Sequence, residues 1–186
     1  MKKIAESRIL IIATNGFEQS ELEVPRTLLG EAGARVDLAT PDGKEIVGWK
    51  KDDWGAPVTA DLSIDEAMAD DYDALVLPGG QINPDILRTN ERAMALVRAF
   101  VADGKTVAAI CHAPWVLIEA DALKGREATS YHSIRKDVEN AGAIWKDEKA
   151  VSSDGIITSR NPDDLHDFVG AIVVDIESRT PAKRAA

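Results

Sequence analysis

The chain has one cysteine, Cys111, in the stretch TVAAICHAPWVLIEA at residues 106–120, with His112 beside it and Pro114 two positions further on. An apolar run that reads as a buried strand ends at the thiol, and an apolar-periodic run that reads as a helix follows. A strand that turns abruptly into a helix lifts the turn residue above the sheet, the geometry of a nucleophile elbow, best known for serine. Ala113 is small enough for such a bend and Pro114 suits a first helical position, although the flanking glycines of the serine pattern are missing. Free N–H groups and the macrodipole at a helix N-terminus favour a thiolate, so Cys111 is expected to titrate well below the ~8.5 of a free thiol. Peroxide is expected to oxidise it to sulfinic acid. A buried structural cysteine is the ordinary alternative; the strand-end position and the CHAP turn favour a reactive one.

Carbonyl or acyl chemistry also needs donors for a developing oxyanion. LPGG, residues 77–80, offers the N–H groups of Gly79 and Gly80 unshielded by side chains, although Pro-Gly-Gly also makes a plain turn. GFEQSELEVP, residues 16–25, offers Glu18, Glu21 and Glu23. A glutamate partly buried beside the sulfur would have its pKa raised and donate a hydrogen bond as the neutral acid. The same acids would also suit a charged first helical turn. Of the three histidines, His112 is expected to diverge from its neighbour's sulfur and to reach substrate instead. His132, in a loop before a helix, can approach the site, and His166 reads as a surface residue of the last helix. One cysteine and scattered histidines give no metal-ligand spacing, and no metal or cofactor is expected.

These residues must be positioned by strands and helices. RILIIAT, RVDLAT, DALVLPGG and TVAAICHAP are short apolar runs bounded by Gly, Pro or charge, the pattern of parallel strands buried on both faces. Helices are expected over 20–32, with Leu22, Leu28 and Leu29 near one face and Pro25 as a kink or first-turn residue; over 90–103, with Asn90 as N-cap and Gly104 as stop; over 133–141, capped by Ser133 and closed by Gly142; and over 163–177. Residues 43–61 are less regular and read as a small hairpin of no assigned role. Strands alternating with helices imply an α/β class, a helix–sheet–helix sandwich on a mainly parallel sheet. Ligands in such folds gather at the carboxyl ends of the strands, where all three candidate segments fall.

The 186 residues fit one domain, 1–178, with 179–186 as a frayed tail. A formal net charge of -10 argues against general nucleic-acid binding and against anionic membrane. The start, MKKIAESRILIIA, is basic like a signal peptide, but Glu6, Ser7 and Arg8 interrupt it and the apolar run that follows is too short. No stretch approaches the ~20 apolar residues of a spanning helix. A cytoplasmic location is expected.

GFEQSELEVP, DALVLPGG, AICHAPWVL, ATSYHSIRKDVENAGAIW and ITSRNPDDL, in that order, resemble the PfpI family of the class I glutamine amidotransferase-like superfamily, over roughly residues 7–177. That group includes a protein deglycase and bacterial general stress proteins. The resemblance implies a flavodoxin-like three-layer α/β/α sandwich, Cys111 as nucleophile, Glu21 as the acid beside the sulfur and His112 as partner in a Cys-His pair. In PfpI-type peptidases an acid from a neighbouring subunit orients that histidine. The nearest match here is Asp85, shorter than the family's glutamate and on a loop one residue longer, and a homodimer or higher homo-oligomer is implied. Tyr131 matches an aromatic of the family. His132 aligns with a histidine near the cysteine of the deglycase branch. The His-x-Glu that completes the triad of true glutamine amidotransferases is missing from SRNPDDLHD, so glutaminase activity is not expected. The implied activity is a stress-response enzyme using Cys111 on a small reactive carbonyl or a glycated substrate, as a glyoxalase or deglycase. An intracellular cysteine peptidase and a non-enzymatic redox sensor or chaperone stand as alternatives.

Overall fold

A computed structural model describes residues 2–179, so the expected tail, apart from Arg179, lies outside the described residues. The chain runs through β1 (Arg8–Ile12), α1 (Gln19–Glu31), β2 (Arg35–Thr40), β3 (Ile46–Lys50), β4 (Asp53–Val58), β5 (Leu62–Ser63), β6 (Ala74–Leu77), α2 (Ile82–Leu87), α3 (Glu91–Ala102) and β7 (Thr106–Ile110). It continues through α4 (Pro114–Glu119), β8 (Glu127–Ala128), α5 (Arg135–Asn140), β9 (Ile144–Trp145), β10 (Ala150–Ser153), β11 (Ile156–Ser159) and α6 (Leu165–Ser178). A seven-stranded sheet has the order β10-β11-β7-β6-β1-β2-β5. Its pairs are parallel except β10 with β11.

Each central strand divides its side chains between two cores, as a period of two requires. Ile9 and Ile11 of β1 pack with Leu22 and Leu29 of α1 and Phe168 and Ile172 of α6. Leu10 and Ile12 pack with Val97 and Phe100 of α3, Val116 and Leu117 of α4 and Val138 of α5. Burial on both sides is why these strands are apolar throughout. The result is three layers, with helices on both faces of the sheet.

The local signals act mostly as expected. Asn90 caps α3 by accepting the Ala93 N–H, and Gly104 follows with φ 64°. Glu18 caps α1 by accepting the Glu21 N–H at 3.0 Å. Pro25 lies inside that helix and is buried. Ser133, in contrast, caps nothing. It belongs to a 3-10 turn, His132–Ile134, and α5 begins after it with no side-chain cap. The expected hairpin is present as β3 and β4, paired antiparallel. It is tied to the loop after β1 by the Trp49 N–H on Phe17 O at 2.6 Å and the Gly16 N–H on Val47 O at 2.9 Å. Among the described residues no helix is long and apolar enough to cross a membrane.

Candidate active site

The strands β7, β6 and β1 are neighbours in the sheet, and the segments that follow them meet above its carboxyl edge. Cys111 follows β7 in a left-handed turn, φ 64°, which a non-glycine side chain adopts only under constraint. The constraint is visible. The Cys111 N–H donates to Ser159 O at 3.0 Å, its carbonyl accepts from the Tyr131 N–H at 2.9 Å, and the Ala113 N–H donates to Ile110 O at 3.0 Å. Ala113 is fully buried, and Pro114 opens α4.

Glycine is required twice in the loop after β6. A Cβ on Gly79 would lie 2.5 Å from Glu21 Oε2 and 2.7 Å from Cys111 Cβ. Gly80 has φ 79°, and a Cβ there would meet Gly16 O at 2.5 Å. The loop therefore lies directly against the thiol and the glutamate. Gly79 is not a free oxyanion donor, as the sequence led us to expect: its N–H donates to Glu21 Oε2 at 2.9 Å. The Gly80 and His112 N–H groups favour an ionised Cys111 sulfur, and the Gly80 N–H also favours an ionised Glu21.

Of the three acids after β1, Glu21 is fully buried, Glu18 half-buried and Glu23 exposed. Burial pushes the Glu21 carboxyl up to about 8, with help from the charge on Glu18, against the opposing bonds from the Gly79 N–H, Cys111 and the Gly80 N–H. Glu21 is thus a neutral acid at pH 7. Its Oε1 is buried and has no hydrogen-bond partner among the described residues. The thiol does not follow the expectation of a low pKa. Burial pushes Cys111 up and an ionised Glu21 would push it further; the Gly80 and His112 N–H groups pull the other way. A helix of one and a half turns that begins three residues later does not outweigh the loss of water.

The structure also corrects the expected divergence of His112. Its Nδ1 lies 3.1 Å from Cys111 Sγ, close enough to take the thiol proton. Burial pushes this imidazole below its ordinary value, and the nearby His132 adds to the effect, so His112 is a neutral base. Two aromatic side chains pack against the ring. Tyr131 stacks on it with centroids 4.8 Å apart, and Trp115 approaches edge-on at 5.3 Å. His132 is exposed and packs on Tyr131, with ring centroids 4.4 Å apart. His166 is exposed on α6, as expected. Asp85 lies in the first turn of α2, exposed, and pairs with Arg88 of its own helix at 3.4 Å; Arg88 in turn lies over the Trp115 ring, 5.5 Å from its centroid.

Two residues that the sequence reading did not place at the site join this constellation. Asn83 is fully buried; its Oδ1 accepts the Thr14 N–H at 2.8 Å and its amide donates to Pro78 O at 2.7 Å. It ties the loop after β1 to the loop after β6. Ser133 Oγ lies 3.1 Å from His112 Nε2. A polar residue among Ile82, Pro84 and Ile86 is the one trace of Asn83 in the sequence; Ser133 carries an equally good signal for a helix cap. No group of three or more His, Cys, Asp or Glu that could hold a metal ion occurs among the described residues.

This arrangement has close relatives. The deglycase TK1284 of Thermococcus kodakarensis is 43% identical over 166 residues, covering 89% of this chain and 97% of its own. The putative cysteine protease YraA of Bacillus subtilis is 44% identical over 164 residues, covering 87% of this chain and 93% of its own. A two-domain protein with DJ-1/ThiJ/PfpI-like and ferritin-like domains from Anabaena variabilis superposes with a TM-score of 0.86 at 36% identity, over 96% of this chain and 52% of that one. The mainly parallel sheet between helices is the flavodoxin-like fold of these structures. Relatives that agree in sequence over nearly the whole chain, and a family match spanning residues 7–175, show that the protein belongs to the DJ-1/PfpI family.

Proposed function

We propose that the protein is a cysteine-dependent enzyme of small reactive carbonyls, acting as a glyoxalase or as a deglycase of glycated amines. The observation that carries this reading is a thiol only 6% exposed, set between a buried carboxyl and a buried imidazole. Such a site admits the end of a small aldehyde far more readily than an extended polypeptide. Relatives of nearly equal identity bear the names of a deglycase and of a putative protease, so the names do not choose between the chemistries.

For a dicarbonyl, the steps balance on this chain's own groups. The thiol proton passes to His112 Nδ1 while Sγ bonds to the aldehyde carbon. The C=O π pair moves to oxygen, where the N–H groups of Gly80 and His112 stabilise it, and His112 returns the proton to that oxygen. The product is a hemithioacetal and no group leaves. Neutral Glu21 then gives its proton to the adjacent carbonyl oxygen and takes the hydrogen of the carbinol carbon as a proton. It next delivers that proton to the second carbon while recovering one from the first hydroxyl. The resulting thioester is hydrolysed by water, which releases a 2-hydroxy acid and restores the thiol. Peptide cleavage asks more, because an extended polypeptide must bring its scissile carbonyl to a thiol only 6% exposed.

Methylglyoxal consumption should be measurable with the wild-type protein and absent in Cys111→Ala, while unfolded protein is left uncleaved. Cys111-dependent proteolysis without dicarbonyl turnover would overturn the proposal in favour of a peptidase.

A further inference from the structure

His112 can act as a base on the thiol only in one form. A neutral imidazole carries one N–H, and the other nitrogen accepts. For Nδ1 to receive the Cys111 proton across 3.1 Å, the hydrogen must sit on Nε2. That N–H then needs an acceptor, and Ser133 Oγ supplies it at 3.1 Å. The hydroxyl makes no other hydrogen bond among the described residues, and its own hydrogen is free to face solvent, because Ser133 is exposed. The serine is well placed to hold this position. Its turn is closed by the Ile134 N–H on Tyr131 O at 3.1 Å, and Tyr131 in turn donates to the carbonyl of Cys111 at 2.9 Å. Ile134 is anchored in the core at 2% exposure. Two residues of backbone therefore connect the group on Nε2 to the residue whose proton leaves by Nδ1.

We propose that Ser133 is the positioning residue of His112, so that Cys111, His112 and Ser133 form a proton relay contained in one chain. Within the chain, Ser133 is the hydrogen-bond partner of Nε2, while Asp85 pairs with Arg88 of its own helix. The choice of a hydroxyl rather than a carboxylate also has a chemical consequence. A carboxylate stabilises the imidazolium that forms when the base is protonated; an uncharged hydroxyl orients the ring with little change in its basicity. His112 stays a weak base that quickly returns its proton, which suits addition to an aldehyde. This inference rests on the reading of Cys111 as a nucleophile toward carbonyls, and it narrows that reading to substrates with no amine to expel.

The test compares Ser133→Ala, Ser133→Thr and Asp85→Asn with the wild type. Three measurements are made: methylglyoxal turnover, alkylation of Cys111 by iodoacetamide, and the ring-nitrogen NMR signals of the three histidines in 15N-labelled protein. Loss of one hydrogen bond of this kind should lower kcat about fivefold with KM little changed. Ser133→Ala should also replace the single Nε2–H form of His112 by a mixture, and Ser133→Thr should restore both rate and signal. Asp85→Asn should cost less than Ser133→Ala. Wild-type turnover and unchanged His112 signals in Ser133→Ala, or a larger loss in Asp85→Asn, would overturn the relay. If the wild type consumes no dicarbonyl, the carbonyl reading fails by itself, and alkylation with the His112 signals still decides the role of Ser133.

Discussion

At the scale of residues, the decisive pair is Glu21 with Cys111. Sequence alone brought both forward, since an acid just after one strand and a thiol just after another are visible as types and positions. It anticipated the raised pKa of the acid but misjudged the thiol, because how far burial outweighs a helix N-terminus is a property of the assembled site. A helix N-terminus can be read from Pro114; the removal of water by Gly79, Tyr131 and the core cannot. The pH dependence follows from Glu21. Its pKa is raised from 4.5 to about 8 on folding, so the folded chain holds a proton that the unfolded chain releases. The associated stability is fully present below about 4.5 and is lost as pH rises through about 8. Glu21→Gln removes this titration and should gain in melting temperature relative to the wild type as pH is raised across that window. The same variant lacks the shuttle, so kcat should fall on the order of 10²-fold. The wild-type rate should also decline on an alkaline limb near pH 8, where Glu21 ionises, and the residual rate of Glu21→Gln should show no such limb.

Elements were legible where a local rule is strong. Asn90 with Gly104 bounds α3, and the irregular composition of residues 43–61 resolves as the β3–β4 hairpin. The hairpin's attachment was not legible: it depends on Gln19 lying beneath Gly48 and Gly55, a contact between segments that no local pattern encodes. The strands β10 and β11 were missed for a related reason. AVSS and IITS are short and half polar, and they gain strand character from pairing beside β7. Asn83 couples two loops in the same manner. Its replacement by alanine would leave the Thr14 N–H and the Pro78 carbonyl without partners in a buried place. Asn83→Ala should therefore cost on the order of 2 kcal/mol or more in denaturant unfolding. An unchanged midpoint would mean that the two loops hold each other without it.

For the whole molecule, the alternation of apolar strands with helices sufficed for the layered α/β class. Lateral strand order was beyond it, because a strand buried on both faces can sit anywhere in the interior of a sheet. The order places β7, β6 and β1 side by side and so makes one site of three distant segments. The left-handed turn at Cys111 has a consequence for how this protein responds to selection. Alanine usually stabilises relative to glycine, but at φ 64° the preference reverses. Cys111→Gly should be more stable than Cys111→Ala by about 1 kcal/mol in thermal or denaturant melts; the usual order would show that the turn is relaxed. A laboratory screen that rewarded heat resistance alone would thus drift toward glycine at this position, keeping the bend and discarding the sulfur that the bend exists to present.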